Sequence, residues 1–303
     1  MTEPQGPTPV VVHAPGGGDR APLPIPPPAV SLPTFVIRPE RGLVAIDVGE
    51  LWAYRELLWT LVWRELKVRY KQTVIGAAWA VVQPAFSMVL FAIVFGRLAQ
   101  LPSDGAPYPL FSYAALVPWQ FFSRALTEAS MSLIAQDRLV TKVYFPRMMV
   151  PSAVVLSGVV DMAIALLLAV GLMIYYGYPP GPAFAALPLF VLLAVIAASG
   201  ISLWLAALNV EFRDVRYVLP FLTQLWLYAT PVVYPMSLVP VRWRLWASLN
   251  PMCGVVEGFR WAILGVRPPD LNSLAVSLGV SLILLVTGAA YFRHVERTMA
   301  DRI

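Results

Sequence analysis

"RELKVRYKQTVIGAAWAVVQP", residues 64–84, changes character partway along its length. A basic, tyrosine-bearing segment passes into an apolar one across "QTVIG", with no proline or polar loop between them. Such a join belongs where a helix at a membrane surface turns into a helix that crosses the membrane. Composition points the same way. Of the 303 residues, 58% are hydrophobic and 13% charged, and mean hydropathy is +0.69, far from a soluble domain, where charged residues make up about a quarter. A net charge of +5 with a pI near 9.4 fits basic flanks of membrane spans and needs no nucleic acid to explain it. The single cysteine, Cys253, excludes an internal disulfide framework and a cysteine-rich metal site.

Upstream of the join, residues 1–33 hold ten prolines and a glycine triplet and read as a disordered cytoplasmic tail. They lack a basic stretch followed by an apolar one, so no cleaved secretory signal is expected. Residues 34–73 form a cytoplasmic lead-in, with two β-branched runs around "RPERG" compatible with a small hairpin or an extended lead-in, followed from Leu51 by an amphipathic helix. Trp59, Val62, Trp63, Leu66 and Tyr70 fall on one face and Thr60, Arg64, Lys67 and Lys71 on the other, the chemistry of an interfacial helix.

Downstream, residues 74–303 read as an all-α transmembrane domain with six spans, at about 74–95, 109–133, 151–176, 183–208, 217–234 and 273–292. Lysines and arginines concentrate before span 1, after spans 2 and 4 and in the C-terminal tail. Both termini are therefore expected in the cytoplasm. Residues 231–268 are tryptophan-rich and broken by Pro231, Pro235, Pro240 and Pro251. Their apolar stretches are too short to cross, so re-entrant or interfacial helices are expected between spans 5 and 6.

The chemistry present is sparse. A phosphate-cradling G-x-x-x-x-G-K-[ST] loop needs a Gly-Lys pair, but the three lysines follow Leu66, Tyr70 and Thr141. Both histidines, His13 and His294, lie outside the spans. Asp161 is the deepest isolated carboxylate, with no evident basic partner at depth, and reads either as part of a proton path or as a helix-interface acceptor. Arg124 and Glu128 are spaced i, i+4 and can neutralise each other. Two loops, "LVTKVYFPRMMVP" (139–151) and "NVEFRDVRYVLP" (209–220), mix aromatic and charged groups in the manner of a docking knob, although a plain solvated loop has the same composition.

The run "YRELLWTLVWRELKVRYKQTVIGAAWAVVQP", followed in order by "YPLFSYAALVPWQFF", "LVTKVYFPRMMVP", "LNVEFRDVRYVLPF", "ATPVVYP" and "LNPMCGVVEGFRWAILG", resembles the ABC-2 type permease subunits of polysaccharide exporters, the O-antigen, capsule and teichoic-acid systems. It covers residues 35–303. The resemblance implies a six-helix half-transporter of the cytoplasmic (inner) membrane that dimerises around a channel. It also implies two copies of a separate ATPase that bind ATP and magnesium, with no cofactor in this chain. The loops after spans 2 and 4 become ATPase-coupling segments, with Lys142, Tyr144, Phe145, Pro146 and Arg147 in one and Glu211, Arg213, Asp214 and Arg216 in the other. Pro231, Pro235, Asn250, Pro251, Glu257 and Arg260 would shape an outer gate.

Trp119, Phe121, Phe122, Trp226, Tyr228 and Tyr234 are candidates either for a glycan path, where sugar C–H faces stack on rings, or for interfacial belts. A lipid-linked polysaccharide is the substrate that the resemblance implies. Two alternatives are an ABC-2 permease for a drug or lipid, and a membrane-embedded enzyme of glycan assembly. The enzyme fares worst because catalytic groups at depth are missing.

Overall fold

In the computed structural model, residues 48–71, 76–137, 139, 145–212 and 214–297 are described. The expected tail (1–33), the lead-in up to residue 47, the "QT" pair at the join, and Lys142, Tyr144 and Arg213 lie outside the described residues. Among the described residues the chain is all helix and loop, without strands. Two short helices come first, α1 (Val48–Ala53) and α2 (Arg55–Lys71). After the join, a 3-10 turn at Gly76–Ala78 leads into α3 (Trp79–Phe91), which continues as a π-helical segment, Ala92–Leu98. Gly76 sits at φ +56°, the left-handed region that glycine enters without strain.

Three long helices follow: α4 (Tyr108–Ala135), α5 (Met149–Tyr175) and α6 (Leu187–Glu211). Then come α7 (Val215–Ala229), α8 (Val241–Ala247), α9 (Pro251–Leu264) and α10 (Leu271–Glu296). Among the described residues four segments are long and apolar enough to cross a membrane, Trp79–Leu98, Met149–Tyr175, Pro182–Glu211 and Leu271–Glu296. α4 is long enough, at 28 residues or about 42 Å, yet it carries Arg124 and Glu128 and is less apolar. It can be, because protein surrounds it: Leu110, Tyr113, Ala114, Ala115, Phe122 and Ala129 are all fully buried. α7 stops at Ala229, short of the expected 234, because Pro231 withholds an N–H and Thr230 already has extended backbone.

α4 is the hub, packing on α5, α6 and α9, while α10 lies along α6. Lipid is as apolar as leucine, so helices hold together in a membrane by close packing and interhelical hydrogen bonds. Both are present. Gly200 of α6 meets α10 so closely that an added Cβ would lie 2.6 Å from the backbone nitrogen of Leu285, and Gly288 faces Gly200 across the same seam. Tyr113 donates to the carbonyl of Ala165 (2.9 Å) and Asn209 to that of Ser130 (2.8 Å), joining α4 to α5 and to α6.

α2 buries only part of the face expected to be apolar. Leu61, Val62 and Leu66 are buried, whereas Trp59 and Trp63 are 68% and 53% exposed. The tryptophans point off the protein, and the ammonium of Lys67 rests 5.7 Å above the Trp63 ring.

Candidate functional site

The buried stripe of α2 ends in a charge. Val62, Leu66 and Arg69 follow one another at i, i+4 and i+7, so the stripe that packs on α5 delivers a guanidinium into the bundle. Arg69 pairs with Asp161 of α5 and Glu128 of α4, each at 2.5 Å, and reaches Ser157 at 3.4 Å. Arg124 of α4 pairs with Glu128 at 3.1 Å and Asp161 at 3.0 Å. The Tyr70 hydroxyl donates to the other oxygen of Asp161. Two guanidiniums and two carboxylates thus close a neutral cluster on three helices. Asp161 lies twelve residues into α5, roughly 18 Å along it.

The sequence reading found no basic partner at depth for Asp161; the structure supplies two. Arg69 lies 92 residues before Asp161 and no local motif singles it out, although a carboxylate inside a span calls for a nearby arginine. Asp161 is only 9% exposed and Arg69 17%, so each carries a desolvation cost that the other offsets.

Beside the cluster, between α3, α4 and α5, lies a cavity of about 470 Å³. Trp79, Trp119 and Phe121 give it aromatic walls, and Gln83, Ser87 and Gln120 give it neutral hydrogen-bonding groups, with Arg124, Glu128 and Asp161 at one side. Of the six aromatic candidates, only Trp119 and Phe121 line it. Phe122 is fully buried and meets Trp226 edge-on at 5.2 Å, Tyr228 is 54% exposed on α7, and Tyr234 lies in the segment after α7.

That segment, 230–235, is buried without being helical, so its backbone groups need partners from elsewhere. Arg260 of α9 donates to the carbonyls of Val232 (2.7 Å) and Tyr234 (3.2 Å), and Tyr108 of α4 donates to that of Val233 (2.7 Å). The Arg260 guanidinium lies 3.7 Å above the ring of Phe111. Asn250 caps α9 by accepting from Met252 N–H, accepts from the Trp226 indole (3.0 Å) and donates to Thr230 (2.8 Å). Pro231 and Pro235 lie buried in the segment itself and Pro251 opens α9. Glu257, with Arg260, borders a second cavity of about 760 Å³ at this end of the bundle. Asp270, on its rim, starts α10: its carboxylate accepts from the hydroxyl and N–H of Ser273, which holds it below the usual carboxylate range.

At the opposite end stand the two loops singled out for coupling. Phe145 and Pro146 are buried, and Arg147 is tied to Glu296. Glu211 accepts from the Tyr291 hydroxyl at 2.6 Å. Asp214 precedes α7 without a side-chain capping bond, and Arg216 donates to the Tyr217 hydroxyl with its guanidinium over that ring.

The sequence matches the family described as ABC-2 type transporter over residues 56–264, a range that takes in α2, the charged cluster, both loops and the clamped segment. It is 31% identical over 260 residues to the O-antigen export system permease protein RfbA of Myxococcus xanthus, covering 84% of this chain and 98% of that protein. The Klebsiella pneumoniae protein of the same name is 26% identical over 250 residues, covering 81% and 94%. The polysialic acid transport protein KpsM of Escherichia coli is 24% identical over 243 residues, covering 78% and 92%. With its described residues helical, apolar segments long enough to span, and a family match over residues 56–264, the chain belongs to the ABC-2 type transporter family.

Proposed function

We propose that this chain is the permease subunit of an ATP-driven exporter that moves a polysaccharide across the cytoplasmic membrane. The observation that carries the reading is the likeness to an O-antigen export permease along 98% of that protein's length. The cavity between α3, α4 and α5 is in keeping with it, because amides, hydroxyls and aromatic faces with balanced charge suit a neutral polyhydroxyl chain. A separate ATPase, in two copies, supplies ATP hydrolysis, in line with the absence of a Gly-Lys pair from the sequence. The permease acts as a homodimer, with exposed apolar side chains on α3 and α7, among them Phe86, Leu90, Phe221 and Leu225, facing lipid or the second copy.

In this reading α3, α4, α5, α6, α7 and α10 are six spans with both termini in the cytoplasm. α8 and α9, 7 and 14 residues long, are too short to cross and dip into the membrane from the outer side. ATP binding closes the ATPases, the loops around Arg147 and Asp214 pass that motion to the helices, and a lipid-linked glycan is released past the clamped 230–235 segment. Deleting the gene is expected to strip the glycan from the cell surface and leave it, lipid-linked, inside; complementation by the wild-type chain restores it. A deletion strain with normal surface glycan and lost efflux of a drug or lipid would support the other ABC-2 reading instead.

A further inference from the structure

The C-terminal two turns of α10 touch both loops. On one side the hydroxyl of Tyr291 donates to Glu211, the last residue of α6, at 2.6 Å. On another, the backbone N–H of Arg147 donates to the carboxylate of Glu296 at 2.7 Å and its guanidinium donates to the Glu296 carbonyl at 2.9 Å. Tyr291 and Glu296 are five positions apart, about 7.5 Å of rise and 140° of rotation, so the two contacts leave the helix on different faces. All involve a charged partner, the stronger class of hydrogen bond.

The helix that makes these contacts is itself held rigidly. Phe292 and Val295 are buried in one cluster with Phe145, Met149, Ala207 and Val210, which flank the two loops. The Tyr291 ring is stacked on Trp204 of α6, with centroids 4.3 Å apart, and the Gly200–Gly288 seam one helical stretch away leaves α10 no room to slide.

We infer that the end of α10 is a yoke: Tyr291 and Glu296 are positioning residues that make the two coupling loops move as one body. The inference rests on the reading of those loops as ATPase contacts, and it assigns the joint between them to a helix that the sequence motifs of neither loop include. A displacement imposed on either loop is then carried to the other through α10 without waiting for a second ATPase contact.

The test uses pulsed electron spin resonance on the full chain with its partner ATPase, spin-labelled at Leu139→Cys and Phe212→Cys. Native Cys253 is buried and does not compete for label. In the wild-type background the distance between labels is expected to stay within about 2 Å between nucleotide-free and ATP-trapped states, the scale of a small helix shift. In Tyr291→Phe with Glu296→Ala, the distribution is expected to widen about twofold or to shift with nucleotide, since each lost bond to a charged group changes the local equilibrium about tenfold. Glu296→Gln with Tyr291 retained, which keeps an acceptor oxygen for the Arg147 N–H, is expected to leave the wild-type distribution. Should the double variant not fold, Tyr291→Phe alone, which keeps the stacked ring, is expected to give a partial widening. A wild-type distance that changes freely with nucleotide, or variants with an unchanged distribution, overturns the inference. If the Phe212 label is not immobilised when ATPase is added, the docking reading has failed instead, and the width measured in the permease alone still judges the yoke.

Discussion

Arg69 and Asp161 form a pair in which the loss of one member leaves the other's charge uncompensated at depth. Truncating either is expected to remove about 3 kcal/mol or more of stability, the cost of stranding the partner. Asp161→Asn combined with Arg69→Gln restores the charge balance with Arg124 and Glu128, and is expected to be milder than Asp161→Asn alone. The check is the fraction of monodisperse protein surviving heating in detergent; a double variant as damaged as the single would contradict the cluster's balance. Asp270 sets a pH dependence of opposite origin. Its hydrogen bonds from Ser273 favour the carboxylate and lower its pKa, so its contribution is complete above the unfolded carboxyl's value and lost as pH falls through the lower folded value. The thermal-stability gap between wild type and Asp270→Ala is expected to be constant near neutrality and to close in acid.

Among the elements, the seam between α6 and α10 is the least forgiving. Gly200→Leu places a side chain where even a Cβ has no space, and is expected to abolish stable membrane accumulation, whereas Gly171→Leu, at an open position on α5, is tolerated; fluorescence of a fused reporter measures both. The long, apolar helices, such as α5 and α10, were legible as runs in the sequence, to within a few residues of their ends. α4 was legible by length and position and yet escapes a purely hydropathic definition, because its surroundings are protein. The face that α2 buries was legible only in part: Val62 and Leu66 belong to the expected apolar face and Leu61 does not. Tryptophans advertise a core more loudly than leucines do, but near a membrane surface they point toward the headgroups, and only the register of Leu61, Val62 and Leu66 against α5 shows which side is inside. The clamp on 230–235 was half visible: prolines announced the break, but no local signal pairs Arg260 with carbonyls 26 and 28 residues before it.

For the whole molecule, the six-span arrangement predicts that a reporter active only outside the cytoplasmic membrane is silent when fused after Ile303 and active when inserted at Ser103; activity at the C-terminal fusion would overturn it. The sequence made the class of molecule plain through ordered motifs spread over most of its length, whereas the site inside it was distributed: Arg69, Arg124, Glu128 and Asp161 come from three helices that only the fold brings together. In the proposed function this chain, driven by a separate ATPase, carries a polysaccharide through the membrane. The most direct test is reconstitution of the purified permease and its partner ATPase in proteoliposomes bearing the lipid-linked glycan isolated from a deletion strain. Transfer of glycan across the bilayer, measured by its capture with a lectin confined to the far side, is expected with ATP and not without it or with either protein omitted. ATP-dependent activity of the complex with no glycan crossing would contradict the account.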